Sequence, residues 1–168
     1  MKHRSVGLYS GVLKDMILLF KYRGYKCLGH NLAQFTYRFL GKEESLWEGI
    51  DLILPVPLHR KKQGKRGFNQ SLVLARFLGV QKNIPCDQKI LKKVRQSPPQ
   101  TSLEAEDRLR NLKDVFTVRR PDRISGKRVL LIDDVFTTGA TLNECARMLL
   151  ETGALEVRAL TVAQAAPV

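Results

Sequence analysis

The sequence predicts an α/β fold built on a parallel sheet, and three observations carry that expectation. Short apolar runs alternate with segments of helical periodicity, the order of strand–helix–strand units. The clearest runs, LILP and VLLI, are continuously apolar, as strands covered on both faces are. The length, 168 residues, fits one domain with a sizeable core.

Leu13, Met16, Ile17 and Phe20 recur at three- and four-residue spacing, which predicts a first helix ending near Gly24. A second helix follows over Leu28–Leu40, closed by Gly41. The run Asp51–Leu58, stopped by two prolines, is the first strand of the sheet. His59–Asn69 is a basic, glycine-containing loop, and Asn69 caps a helix from Gln70 to Leu78 that Gly79 stops. Strand, basic loop, helix is the layout of an anion site.

Pro85–Val94 is a second strand. Pro98 and Pro99 mark a loop, and Thr101 with Glu104 forms a capping box opening a helix to about Leu112. Val115–Val118 is a short strand, and the turn-rich stretch after it leads into the strand Arg128–Asp133. A loop, a helix over Leu142–Thr152 stopped by Gly153, and a last strand over Glu156–Ala163 complete the order. Right-handed crossovers then set ligands outside the carboxyl ends of the strands.

The net charge of +13 calls for an anionic partner, a polyphosphate or a nucleic acid. Cys27, Cys86 and Cys145 are far apart and form no C-x-x-C pair, which argues against a disulfide framework or zinc cluster and for buried small hydrophobes in a reducing, cytoplasmic setting. No apolar run reaches membrane-spanning length and no signal-peptide order opens the chain, so no membrane insertion is expected. The sequence has no G-x-x-x-x-G-K-[ST], which removes a P-loop ATPase reading of LLIDD.

The most informative stretch is VLLIDDVFTTGAT. Asp133 and Asp134 end a buried strand, where two like charges raise each other's pKa unless donors or a cation offset them. Thr137, Thr138, Gly139, Ala140 and Thr141 supply hydroxyls, a close-approach glycine and the free N–H groups of a helix start, a cradle for a phosphate monoester. Aspartates often end strands as turn caps, and T-T-G is an ordinary turn sequence. Joined at the spacing D-D-x-x-T-T-G-x-T, the two halves describe one ligand, a phosphorylated ribose.

That stretch resembles the phosphoribosyl pyrophosphate (PRPP) motif of type I phosphoribosyltransferases. LPVPLHRKKQGKRGFNQSLVLA, RQSPPQTSLEAEDRLRNLKDVF and LLFKYRG extend the resemblance to the ComF family of competence-associated proteins, the GntX-related group. The resemblance implies a parallel-sheet phosphoribosyltransferase core over 49–168 with a small N-terminal helical hood over 1–48. It gives the ribose hydroxyls, and Mg²⁺ indirectly through PRPP, to Asp133 and Asp134, and the 5′-phosphate to Thr137–Thr141. It gives the pyrophosphate loop to Pro57, Leu58, His59 and Arg60. Arg95–Gln100 corresponds to the mobile loop, with Arg66, Asn69, Gln70 and Arg108 near it.

Transfer of phosphoribose to an acceptor, with PRPP and Mg²⁺, is the expected activity. The alternative is a regulatory module that keeps the fold and binds single-stranded DNA or a DNA-uptake helicase. A monomer or homodimer is expected. Two features depart from relatives. Members acting on 6-oxopurines carry an acid where this sequence has Thr137, and a threonine is no proton acceptor. Many ComF relatives begin with a cysteine-rich zinc-binding segment that this sequence lacks, so a short form, or one that has lost the segment, is expected.

Overall fold

The computed structural model describes residues 1–22, 25–95 and 115–166. Its elements are β1 (Lys2–Leu8), α1 (Gly11–Tyr22), α2 (Cys27–Leu40), the single turn α3 (Glu44–Trp47), β2 (Leu52–Pro55), α4 (Arg60–Arg66) and α5 (Gln70–Lys82). Then come β3 (Leu91–Lys93), β4 (Phe116–Val118), a 3₁₀ turn at Pro121–Arg123, β5 (Arg128–Phe136), α6 (Ala140–Glu151) and β6 (Glu156–Gln164).

Four strands form one parallel sheet in the order β1-β6-β5-β2. The apolar run in β5 feeds both faces of that sheet. Val129 and Leu131 join Leu142, Cys145 and Leu149 of α6 in one core. Leu130 and Ile132 join Ile17, Phe20, Leu32 and Leu74 of α1, α2 and α5 in the other. This alternation is the period-2 geometry of a strand covered on both sides. Residues 1–48, expected as a helical hood, contribute β1 to the sheet edge and lay α1 and α2 on one sheet face.

Several elements differ from the sequence reading. β1 is unexpected, because KHRSVGL has no apolar run. As an edge strand it needs only the backbone pairing with β6, from Lys2↔Arg158 to Leu8↔Gln164. The basic stretch His59–Asn69 is not a loop throughout: it holds α4, which His59 caps by accepting from Lys61 N–H at Nδ1 (3.3 Å) and Gly67 ends at φ +75°.

α5 runs past Gly79 to Lys82 and stops at Asn83, φ +53°. Gly79 is there because a Cβ would lie 2.8 Å from the Ile84 carbonyl oxygen, a packing demand that reads in sequence like a helix stop. Pro85–Val94 is not one strand of the main sheet. Cys86 makes an isolated parallel bridge to Ile53, and only Leu91–Lys93 is a strand, paired antiparallel with β4 in a separate two-stranded arm. β5 continues beyond Asp133 to Phe136, held by pairing with β6 up to Gln164, and α6 starts at Ala140 instead of Leu142.

Of the cysteines only Cys145 is buried, with Cys27 exposed. The Thr101–Leu112 helix, the Pro98–Pro99 loop and the first helix's end at Gly24 lie outside the described residues.

Candidate functional site

α5 begins on three buried polar residues, and each reaches a different part of the site. Asn69 accepts from Ser71 N–H at Oδ1 (3.0 Å), the expected cap, while its Nδ2 donates to the Val56 carbonyl at 3.0 Å. That second bond ties α5 to the segment leaving β2. Gln70 accepts from Arg66 Nη1 at 3.2 Å, joining α5 to α4. Ser71 donates its hydroxyl to Asp133 Oδ1 at 2.8 Å. Asn69 and Gln70, assigned by resemblance beside the mobile loop, therefore spend these polar groups on joining segments.

Asn69→Ala removes both a cap and a loop anchor. The expected cost is about 1–3 kcal/mol of folding free energy. Asn69→Asp, which keeps the capping oxygen and loses the donor to Val56, should fall between the two in a urea titration.

Asp133 and Asp134 are held differently. Asp133 Oδ1 also accepts from Asp134 N–H at 2.9 Å. Burial, and then the neighbouring Asp134 charge, push the Asp133 carboxyl up to about 7, against the pull of Ser71 and of Lys21. Asp134 is 8% exposed and is paired through Oδ1 with Lys21 Nζ of α1 at 2.7 Å. The residue type of Lys21 is visible in LLFKYRG, but its partner is not.

Two cavities bear on the expected site, and Asp133 lines the smaller of them. A cavity of about 40 Å³ is lined by Asp133 and by Phe136–Gly139 and Thr141, which brings together the acidic residue and the expected phosphate loop. Gly139 sits at φ +73° directly before α6, whose first N–H groups have no side-chain cap from it. Phe136 lies under this glycine and stacks on His3 of β1, centroids 4.2 Å apart at 19°.

A larger cavity of about 390 Å³ brings Pro57, Leu58, His59 and Arg60 together with Asn69. Its far wall is Lys92, Lys93 and Arg119, from and just beyond the β3–β4 arm. These three cations escaped the sequence reading, because only the antiparallel pairing of β3 with β4 turns them toward the loop after β2. Lys93 is held below its ordinary pKa by burial and then by the Lys62 charge.

Arg66 lies over the Tyr22 ring at 4.9 Å, outside either cavity's lining. Arg95 is exposed. Gln100 and Arg108 fall outside the described residues. Among the described residues no cluster of three or more His, Cys, Asp or Glu side chains is placed to hold a metal ion. The Lys21 ammonium already sits on Asp134, so a cation coordinated by this pair would meet a fixed positive charge. The cation-lined cavity suits an anion.

The phosphoribosyl transferase domain family matches residues 69–166, which contain the start of α5, the acidic pair and the threonine loop. Competence protein F of Haemophilus influenzae is 33% identical over 163 residues, 95% of this chain and 71% of that one. Competence protein ComFC of Bacillus subtilis is 31% identical over 153 residues, covering 90% of this chain and 59% of that protein. DNA utilization protein YhgH of Escherichia coli O157:H7 is 37% identical over 108 residues, 64% of this chain and 47% of its own length. The chain thus spans only part of these relatives.

Among solved structures, adenine phosphoribosyl transferase from Trypanosoma brucei in complex with AMP, pyrophosphate and ribose-5-phosphate superposes with a TM-score of 0.51 at 20% identity, over 85% of this chain and 55% of that one. Orotate phosphoribosyltransferase from Aeropyrum pernix gives 0.50 at 17% identity, over 85% and 63%. At such identities the likeness shows the fold, the α/β arrangement of a type I phosphoribosyltransferase. With that domain over more than half of its length and a third of its residues shared with a competence protein along nearly its whole length, the chain belongs to the ComF family of phosphoribosyltransferase-fold proteins.

Proposed function

We propose that the protein binds PRPP with Mg²⁺ and transfers its phosphoribosyl group to an acceptor. The observation that supports this reading is that Asp133 lines one small cavity together with the Thr137–Thr141 loop, while a separate cavity at the loop after β2 is lined by Arg60, Lys92, Lys93 and Arg119. Thr137–Thr141 receive the 5′-phosphate on hydroxyls and helix N–H groups. The free oxygens of Asp133 and Asp134 accept from the ribose hydroxyls. Arg60, Lys92, Lys93 and Arg119 take the pyrophosphate.

In the transfer, the bond from the anomeric carbon to pyrophosphate breaks as the bond to the acceptor forms, through an oxocarbenium-like transition state. The cationic cavity stabilises charge gathering on the departing pyrophosphate. Mg²⁺, carried on the pyrophosphate, supplies further neutralisation there. Thr137 takes no proton, so a 6-oxopurine that relies on an acid at that position is a poor acceptor.

Isothermal titration with PRPP and Mg²⁺ tests the reading. Saturable binding by the wild-type protein is expected, and its absence would sink the proposal.

A second reading, a single-stranded DNA or helicase-binding module, is favoured by α4. Arg60, Lys61, Lys62, Lys65 and Arg66 crowd one short helix, and none pairs with a carboxylate among the described residues. On that reading, replacing Lys61, Lys62 and Lys65 together by alanine flattens the salt dependence of single-stranded DNA binding by about 2 log units per log unit of salt. The same binding is untouched by Asp134→Asn. No DNA binding by the wild type rules the module out.

A further inference from the structure

Lys21 stands where a cation on the acidic pair would stand. Its ammonium is 2.7 Å from Asp134 Oδ1, and both side chains are largely withdrawn from water, at 16% and 11% exposure. It reaches the pair from α1, whose neighbours Ile17 and Phe20 are fully buried, so the helix that carries it is anchored in the sheet's core. The other aspartate is engaged by the Ser71 hydroxyl at the start of α5. Two helices that cover the sheet therefore each claim one member of the pair.

Two adjacent carboxylates partly out of water need positive charge nearby. A fixed ammonium supplies it without leaving the site, whereas a divalent ion would have to be bound from solution and stripped of part of its water. With Lys21 in place the Asp134 charge is compensated, and one oxygen of each aspartate is taken. The second oxygen of each is left to accept from hydroxyl donors, and a divalent ion bound there would stand beside the Lys21 ammonium.

We propose that Lys21 is a built-in counter-ion that keeps divalent cations off Asp133 and Asp134 and holds the pair open for the ribose hydroxyls. Mg²⁺ then enters only with the pyrophosphate, on the far cavity. Lys21 is a positioning residue: it acts through Asp134 and touches no substrate atom. The inference rests on the PRPP reading for the identity of the sugar, and its claim on metal exclusion stands without it.

The test is titration of the protein with Mn²⁺ alone, followed by electron paramagnetic resonance, with no PRPP present. Wild type and Lys21→Arg are expected to show no saturable site at the pair. Lys21→Met, which keeps the packing stem, should gain one site at least tenfold tighter than any background binding, and adding Asp134→Asn should remove it.

Saturable Mn²⁺ binding by the wild type that Asp134→Asn abolishes would overturn the inference, as would a folded Lys21→Met protein that gains no site. Lys21→Gln, polar and of similar length, takes the place of Lys21→Met if circular dichroism shows the latter unfolded. A parallel PRPP titration separates the failures. Loss of PRPP binding by the wild type removes the sugar reading, and the Mn²⁺ result answers the Lys21 claim independently.

Discussion

Asp133→Asn is expected to stabilise the protein at pH 8 while stripping it of PRPP binding. The Asp133 carboxyl is pushed from its ordinary value of 3.8 up to about 7, first by burial and then by the Asp134 charge. The folded protein therefore binds this proton more tightly than the unfolded chain does. The group's contribution is favourable below its unfolded pKa, falls as pH rises through the window from about 4 to 7, and leaves an ionised, poorly solvated carboxylate above it.

Asparagine is isosteric and its Oδ1 still accepts from Ser71 and from Asp134 N–H, so the gain at pH 8 should be on the order of 2–4 kcal/mol. Urea titrations at several pH values, without PRPP or divalent cations, read it directly. The difference between variant and wild type should shrink toward zero as pH falls to about 4. Equal stability at pH 8 would show that burial does not burden this carboxyl. On the binding side, the one Asp133 oxygen left to accept from the proposed ribose becomes an amide donor, which predicts roughly a 100-fold loss in PRPP affinity. Stability and ligand binding would then move in opposite directions at one atom, as expected where a site retains strain.

Gly139→Val has the second large effect. The residue sits at φ +73°, where a β-branched side chain is strained, and its Cβ would meet Phe136 Cζ at 2.5 Å. Phe136 has nowhere simple to go, since its ring stacks on His3. The expected cost is about 2–4 kcal/mol, together with loss of the phosphate seat proposed for the loop that holds Gly139.

Gly126 supplies the internal control. It has nearly the same φ, +71°, but a Cβ added there would meet nothing within 4 Å. Gly126→Ala should cost only about 1 kcal/mol by thermal or urea unfolding. If Gly139→Ala and Gly126→Ala cost the same, the packing of Phe136 beneath the phosphate loop carries no energy.

What the sequence disclosed follows the range of the forces involved. β2, β5, β6, α5 and α6 were legible because a continuous apolar run or a period of 3.6 is written locally. The acidic pair and threonine loop were legible because their chemistry lies within nine consecutive residues. β1 was hidden because an edge strand takes its stability from hydrogen bonds to β6, and those place no demand on its own side chains. α4 was hidden because its charges and glycines read as a loop, and only the His59 cap and Gly67 stop define it. Gly79 misled for a related reason: its missing Cβ answers a neighbouring carbonyl, not a helix end.

By itself the sequence determined the α/β class, the order of the main strands and helices, and the adjacency of two carboxylates to a threonine- and glycine-containing loop. The tertiary structure alone decided which distant residues complete that site. Lys21 meets Asp134, Ser71 meets Asp133, and Lys92, Lys93 and Arg119 face the loop after β2. Such partners share no spacing or period along the chain. They are brought together by the packing of α1 and α5 on the sheet and the pairing of β3 with β4, so their roles exist only once the core has formed.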